Sequence, residues 1–232
     1  MGVRADARVL WAMARGVGHS GTHADRLARF YGPQAADYDR FRERLLRGRQ
    51  TLIEALPVSA GSHVVELGGG TGRNAEYFGE RLAGFARLDI VDICEPLIAI
   101  ARERFSTRSN VVCTLADATR WSPPGPVDAV YLSYALTMIP NWRVAIDNAI
   151  RMLAPGGVLG VVDFHVGPHH GWLTRFIWPK WFAHDGVHLS ADHVPYLGAR
   201  VDIIECEEHR APVPYLAGAA VPYYHLIGRK RL

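Results

Sequence analysis

The stretch Val64-Val65-Glu66-Leu67-Gly68-Gly69-Gly70-Thr71-Gly72-Arg73-Asn74 decides how the chain is read. A short apolar run opens directly into four glycines within five positions, and a helix is expected to follow. Glycine is needed where the backbone takes positive φ and where a ligand must approach the main chain with no Cβ in the way. Glu66 closes the apolar run with a carboxylate. A strand, a glycine turn and a helix in that order are shaped to hold a nucleotide-like cofactor.

The spacing separates two cofactor classes. A dinucleotide site wants Gly-x-Gly-x-x-Gly, with a helix N-terminus facing the pyrophosphate. An alanine-terminated version can be written here from Gly70, Gly72 and Ala75, but it leaves Glu66-x-Gly68-x-Gly70 unused. The order acid-x-Gly-x-Gly-x-Gly resembles motif I of the class I S-adenosylmethionine (SAM) dependent methyltransferases. That resemblance implies an α/β fold, a Rossmann-like class I methyltransferase sheet with helices on both faces, an N-terminal helical cover and an insertion after the fifth strand.

Later segments follow the same order. Residues 85–93 read as a second strand ending in Asp92, placed in such proteins to take the ribose hydroxyls. Residues 110–115 read as a third strand delivering Ala116-Asp117-Ala118, which the resemblance implies sets a carboxylate near the adenine amino group and a backbone amide near the ring. Residues 128–133 read as a fourth strand leading into Tyr134-Ala135-Leu136-Thr137-Met138-Ile139-Pro140. Leu153-Ala154-Pro155-Gly156-Gly157 then turns a helix into a fifth strand, 158–164. Taken singly, each acid serves equally well as a strand end or a helix cap, and glycine turns also serve plain packing. Acids recurring at successive strand ends favour a ligand, because open α/β sheets bind beyond the carboxyl ends of their strands.

Composition fits one domain over 1–232, with residues 1–56 as the helical cover and 165–195 as the insertion. The chain has 232 residues, 49% hydrophobic, without repeats or charge blocks, enough to bury a sizeable core. A net charge of +3 is mildly basic and does not imply nucleic acid. Cys94, Cys113 and Cys206 form no CxxC pair and read as reduced core thiols. The apolar patch 9–14, flanked by arginines, is too short for a signal peptide or a spanning helix, so a soluble cytoplasmic protein is expected. An amphipathic helix lying on a membrane stands as the alternative for residues 1–18, beside a short helix packed on the domain.

Residues 23–54 read as helix, broken near Gly32-Pro33 and resuming from Gln34. Phe30-Tyr31-x-x-Gln34-Ala35-x-x-Tyr38-Asp39-x-x-Arg42, the glycine turn, Ser133-Tyr134-x-Leu136-Thr137-Met138-Ile139-Pro140, Val162-Asp163-Phe164, Val213-Pro214-Tyr215-Leu216 and Pro222-Tyr223-Tyr224 narrow the resemblance. Together they are similar to the methyltransferase part of betaine-lipid synthases, which trimethylates the amine of diacylglyceryl-homoserine. The resemblance spans about 30–229. It implies SAM as cofactor and an amine-bearing small molecule or lipid as acceptor, and it leaves the oligomeric state open. The cofactor-binding residues expected are Tyr38, Arg42, Glu66, Gly68, Gly70, Gly72, Asn74, Asp92, Ile93, Asp117, Ala118 and Ser133. On the acceptor side stand Tyr31, Tyr134 and His165, the last placed at the end of the fifth strand to accept an amine proton. Two other functions remain open, transfer or cyclisation of the 3-amino-3-carboxypropyl arm of SAM and non-catalytic SAM binding.

Between His165 and Ser190 lie Trp172, Phe176, Ile177, Trp178, Trp181 and Phe182 with Arg175 and Lys180. An interfacial lid making peripheral membrane contact and a buried insertion fit this stretch equally. Six of the eleven histidines fall between His165 and His193, yet no metal site is expected. Asp185-Gly186 argues that His184 and His188 do not share a helix face, and no glutamate completes a zincin signature.

Overall fold

In a computed structural model, residues 21–32, 43–183, 186–213 and 218–231 are described. Helix α1 (His23–Tyr31) begins at a capping box, in which Thr22 Oγ1 accepts from Asp25 N and the Asp25 carboxylate accepts from Thr22 N. Helix α2 (Arg49–Ala55) starts from Gly48 at φ +77°, so the helical pattern expected up to residue 54 is interrupted there. A Cβ on Gly48 would stand 2.6 Å from the Tyr223 ring, which is why the chain needs glycine at this close approach.

Seven strands form one sheet: β1 (His63–Leu67), β2 (Arg87–Asp92), β3 (Val111–Leu115), β4 (Val127–Ser133), β5 (Leu153–Phe164), β6 (Val201–Pro212) and β7 (Ala220–Lys230). Their order is β3-β2-β1-β4-β5-β7-β6, parallel from β3 through β5, with β7 antiparallel to both β5 and β6. β1 and β4 are buried along most of their length, as strands covered on both faces must be, and they read as near-continuous apolar runs. Helices α3 (Glu95–Arg104) and α4 (Trp142–Met152) connect strands, and α5 (Trp172–Ala183) and α6 (His193–Gly198) fill the stretch between β5 and β6.

The five strands expected from sequence are present with shifted ends. The helix expected after the glycine turn is a 3-10 segment, Arg73–Phe78, that begins at Gly72 without a side-chain cap. The cysteine expectation holds only for Cys94, which is buried; Cys113 is half-buried and Cys206 lies exposed on β6. Residues 1–18 and the Pro214-Tyr215-Leu216 part of the tail motif lie outside the described residues. Among the described residues no helix is long and apolar enough to cross a membrane.

β7 holds the antiparallel end of the sheet to its parallel body. Leu226 is fully buried there, opposite Val161 on one side and Cys206 on the other. Leu226→Ala should therefore cost about 2–5 kcal/mol, the range for a core leucine whose cavity does not collapse. Urea unfolding should show a lower midpoint with an unchanged slope.

Candidate functional site

The strand order reverses between β1 and β4, and the crevice beyond the strand tips at such a point is where open α/β sheets bind ligands. A cavity of about 240 Å³ lies there, somewhat below the roughly 300–1,000 Å³ typical of small-molecule sites. The glycine turn supplies one wall through Gly68, Gly69 and Gly70, and the tips of the next strands supply Asp92, Ile93, Asp117, Ala118 and Ser133. Tyr134 and Met138 line it beyond β4. Helix α1 covers it with His23, Leu27 and Tyr31, three residues at i, i+4 and i+8 on one helix face.

The turn is spliced to β2, since Gly68 N and Gly69 N both donate to Val91 O, at 2.8 and 3.1 Å. Gly68 sits at φ +73°, and a Cβ there would stand 2.6 Å from that of Ala135. The Asp92 carboxylate accepts from Gly70 N at 2.7 Å and from Cys94 N at 2.8 Å. Burial raises its pKa above the usual carboxylate value, against the pull of those backbone bonds. Asp117 Oδ1 accepts from Thr119 N at 2.8 Å and from Thr119 Oγ1 at 2.7 Å. Ser133 Oγ is buried with no hydrogen-bond partner among the described residues.

Two residues expected to touch a cofactor do not line the cavity. Glu66 is fully buried beneath the turn, where Oε1 accepts from Asn74 Nδ2 at 2.7 Å and Oε2 from Tyr131 OH at 3.0 Å. Its partner Asn74 does line the cavity, and Asn74 Oδ1 accepts from Arg49 Nη1 at 3.2 Å. Burial pushes the Glu66 carboxyl up to about 7, with the Asn74 and Tyr131 hydrogen bonds pulling the other way. Gly72 faces the core instead, and a Cβ there would stand 2.8 Å from the Phe105 ring.

On the acceptor side, Tyr31 and Tyr134 line the cavity and His165 does not. Phe164 packs on Tyr134 with ring centroids 4.6 Å apart, so strand alternation sends His165 to the opposite face. There its Nε2 lies 2.6 Å from Glu208 Oε2 on β6, a strand the sequence did not reveal. Tyr134 holds φ +54°, a conformation costly for a side chain of its size, and its hydroxyl donates to Arg47 O at 2.6 Å. Burial lifts its pKa well above the ordinary tyrosine value, which removes it as a proton acceptor at neutral pH. Tyr38 and Arg42 lie outside the described residues.

Sequence reasoning missed His23 and Arg49, both of which line the cavity. The His23-Leu27-Tyr31 spacing could have signalled the first. Nothing in the sequence separates Arg49 from its neighbouring arginines, because its burial depends on the break at Gly48.

Residues 64–157 match a family model described as a methyltransferase domain. The chain is 35% identical over 126 residues to trans-aconitate 2-methyltransferase of Paracidovorax citrulli (strain AAC00-1), covering 53% of this chain and 47% of that protein. It is 30% identical over 150 residues to the ubiquinone/menaquinone biosynthesis C-methyltransferase of Pseudomonas putida, covering 61% and 59%. The chain thus spans about half the length of the curated relatives it matches. Among solved structures it is similar to the N-methyltransferase NodS from Bradyrhizobium japonicum WM9 in complex with S-adenosyl-L-homocysteine. The TM-score is 0.69 at 19% identity, over 91% of this chain and 100% of that one.

The fold is the Rossmann-like methyltransferase fold, and residues 64–157 match a methyltransferase domain. The residues present fit SAM. Asp92 and Asp117 offer acceptors for ribose hydroxyls and an adenine amino group, Gly68 and Gly70 bring bare backbone to the cavity, and Ser133 Oγ supplies a buried hydroxyl that lacks a partner among the described residues.

The raised carboxyl of Glu66 generates a test. Between its unfolded pKa of 4.5 and its folded value of about 7 the folded chain binds the extra proton, so this group's contribution to stability falls as pH rises through that window. Glu66→Gln removes the contribution, and its stability relative to the parent should improve from pH 4.5 to pH 8 in urea unfolding. A difference independent of pH would contradict the assignment.

Proposed function

We propose that this chain transfers the methyl group of SAM to an amine on a small amphiphilic acceptor, with the homoserine head group of a betaine-lipid precursor as the favoured case. One observation carries the reading: a single cavity joins the glycine turn, the Asp92 and Asp117 carboxylates and two tyrosines under one helical cover. SAM supplies a methyl group activated on a sulfonium, so the protein need only align a neutral nucleophile with it and keep water out. Asp92 and Asp117 hold the adenosyl portion. Arg49, buried beside Asn74, offers a guanidinium for the amino-acid carboxylate. Tyr31 and Tyr134 present rings that suit the positive charge as it passes from sulfur to nitrogen.

Proton removal is left to solvent. Tyr134 keeps its proton on Arg47 O, and His165 faces away. His23 lines the cavity, where the Asp117 charge acts on its imidazole, on the side proposed here to take adenine. Burial lowers the His23 pKa below the usual imidazole value, more than Asp117 raises it.

An amphiphilic acceptor is supported by α5. Its buried side carries Phe182, which packs on Phe164 with centroids 4.9 Å apart, and Phe164 packs on Tyr134. Its outer side exposes Trp172, Leu173, Phe176, Ile177 and Trp181, with Lys180 over the Phe176 ring. Exposed indoles beside a cation suit a headgroup boundary, which makes this face the proposed peripheral membrane contact.

Incubation of the chain with labelled SAM and a panel of acceptors tests the function. The panel should include diacylglyceryl-homoserine, simple amines and trans-aconitate. The expected products are S-adenosylhomocysteine and a methylated amine. Methylthioadenosine would show transfer of the aminocarboxypropyl arm, methylated trans-aconitate would show oxygen as the nucleophile, and binding without turnover would show a SAM-binding protein; each overturns the proposal. Asp92→Ala should weaken SAM binding by about 1.5–3 kcal/mol, the value of hydrogen bonds to a charged acceptor, and calorimetric titration reads this directly.

A further inference from the structure

His165, His169, His170 and Glu208 converge away from the cavity, with every potential ligand atom within 4.8 Å of the others. The first three sit in the loop that leaves β5, and Glu208 sits on β6. His165 Nε2 lies 2.6 Å and His169 Nε2 2.9 Å from the same oxygen, Glu208 Oε2. His170 Nε2 lies 2.7 Å from the other oxygen, Oε1. One carboxylate thus gathers three imidazoles, two of them on one atom.

The roles of the three rings differ. Gly167 N–H donates to His170 Nδ1 at 2.9 Å, so the neutral ring carries its proton on Nε2 and donates it to Glu208 Oε1. His170 therefore orients the carboxylate and is not itself a ligand. Gly167 also lets the loop close, because a Cβ there would stand 2.6 Å from His169 Cε1. His165 Nδ1 is buried with no partner among the described residues, and the ring packs on Tyr224, whose buried hydroxyl also lacks one. With its proton on Nδ1 the neutral ring would leave Nε2 free as a ligand.

The geometry points to a binding site for a divalent first-row transition ion, with zinc its natural occupant, held by His165 Nε2, His169 Nε2 and Glu208 Oε2 and oriented by His170 from the second layer. Two imidazoles and a carboxylate form the three-ligand set that leaves a fourth position open. A tetrahedral ion with arms of about 2.0–2.2 Å separates its ligand atoms by about 3.3–3.5 Å, so His165 must draw back from Oε2 by about 0.7–0.9 Å and His169 by about 0.4–0.6 Å. His169 can do so, since its side chain is 60% exposed, and it opens the site to solvent. The carboxylate held by an imidazole N–H is the outer-layer arrangement that tunes metal ligands. The sequence could not show this group, because its histidines lie about 40 residues from Glu208 on a strand with no alternating pattern. A second group, Glu207, His209 and His225, lies on β6 and β7 and serves as an internal control.

The test is calorimetric titration of the full chain, stripped with chelator, with zinc chloride, together with melting temperature. One zinc per chain should bind and raise the melting temperature, His169→Ala and Glu208→Gln should weaken binding at least tenfold, and His209→Ala should leave it unchanged. His169→Ala removes a largely exposed side chain, so the variant should stay folded. No binding by the parent chain, equal binding by His169→Ala, or loss of binding in His209→Ala instead would overturn the proposal. None of these readouts depends on methyl transfer.

Discussion

The turn after β1 closes over a buried carboxylate, and the cavity depends on that arrangement. Glu66 receives Asn74 Nδ2 on one oxygen and Tyr131 OH on the other, which ties the residue after the turn and the neighbouring strand β4 to the end of β1. Gly69 must be glycine partly for this reason, because a Cβ there would stand 3.0 Å from Glu66 Oε2 and 2.6 Å from Ile90 Cγ2. The backbone amides at 68 and 69 are then free to reach back to Val91 O, which brings the Asp92 carboxylate beside Gly70 N. A carboxylate buried this deeply is costly unless its lone pairs are filled. Its strength as an organiser comes from the same low-dielectric setting that raises its pKa.

From this fixed turn the remaining parts of the site follow by register. β1 pairs with β2 and β4, and β2 with β3, so the strand tips end at one level and Asp92, Asp117 and Ser133 face one space. Helix α1 closes that space through a face whose cap is internal, Thr22 with Asp25, and whose apolar residues pack on Cys94 and Leu97 of the segment after β2. The cover is thus held by the same part of the sheet that carries Asp92.

Much of this was legible in the sequence, and the parts that were not share a physical reason. The parallel strands announce themselves as apolar runs, and the acids at their tips have no role in packing, so Asp92 and Asp117 stood out. β6 is an edge strand exposed along most of its length, and β7 is buried almost throughout, so neither alternates with period 2. Missing β6 meant missing Glu208, and with it the reason His165 turns from the cavity. Glu66 was legible as part of the motif but not as a buried partner of Asn74, because burial beneath a turn leaves no pattern. Arg49 depended on the helix break at Gly48, which only the close approach of Tyr223 explains.

The most direct measurement is a crystal structure of the chain soaked with S-adenosylhomocysteine. The account predicts ribose hydroxyls on Asp92, the adenine amino group at Asp117 and the homocysteine portion along the glycine turn toward Arg49. An empty cavity, or a ligand whose ribose lies away from Asp92, would contradict it.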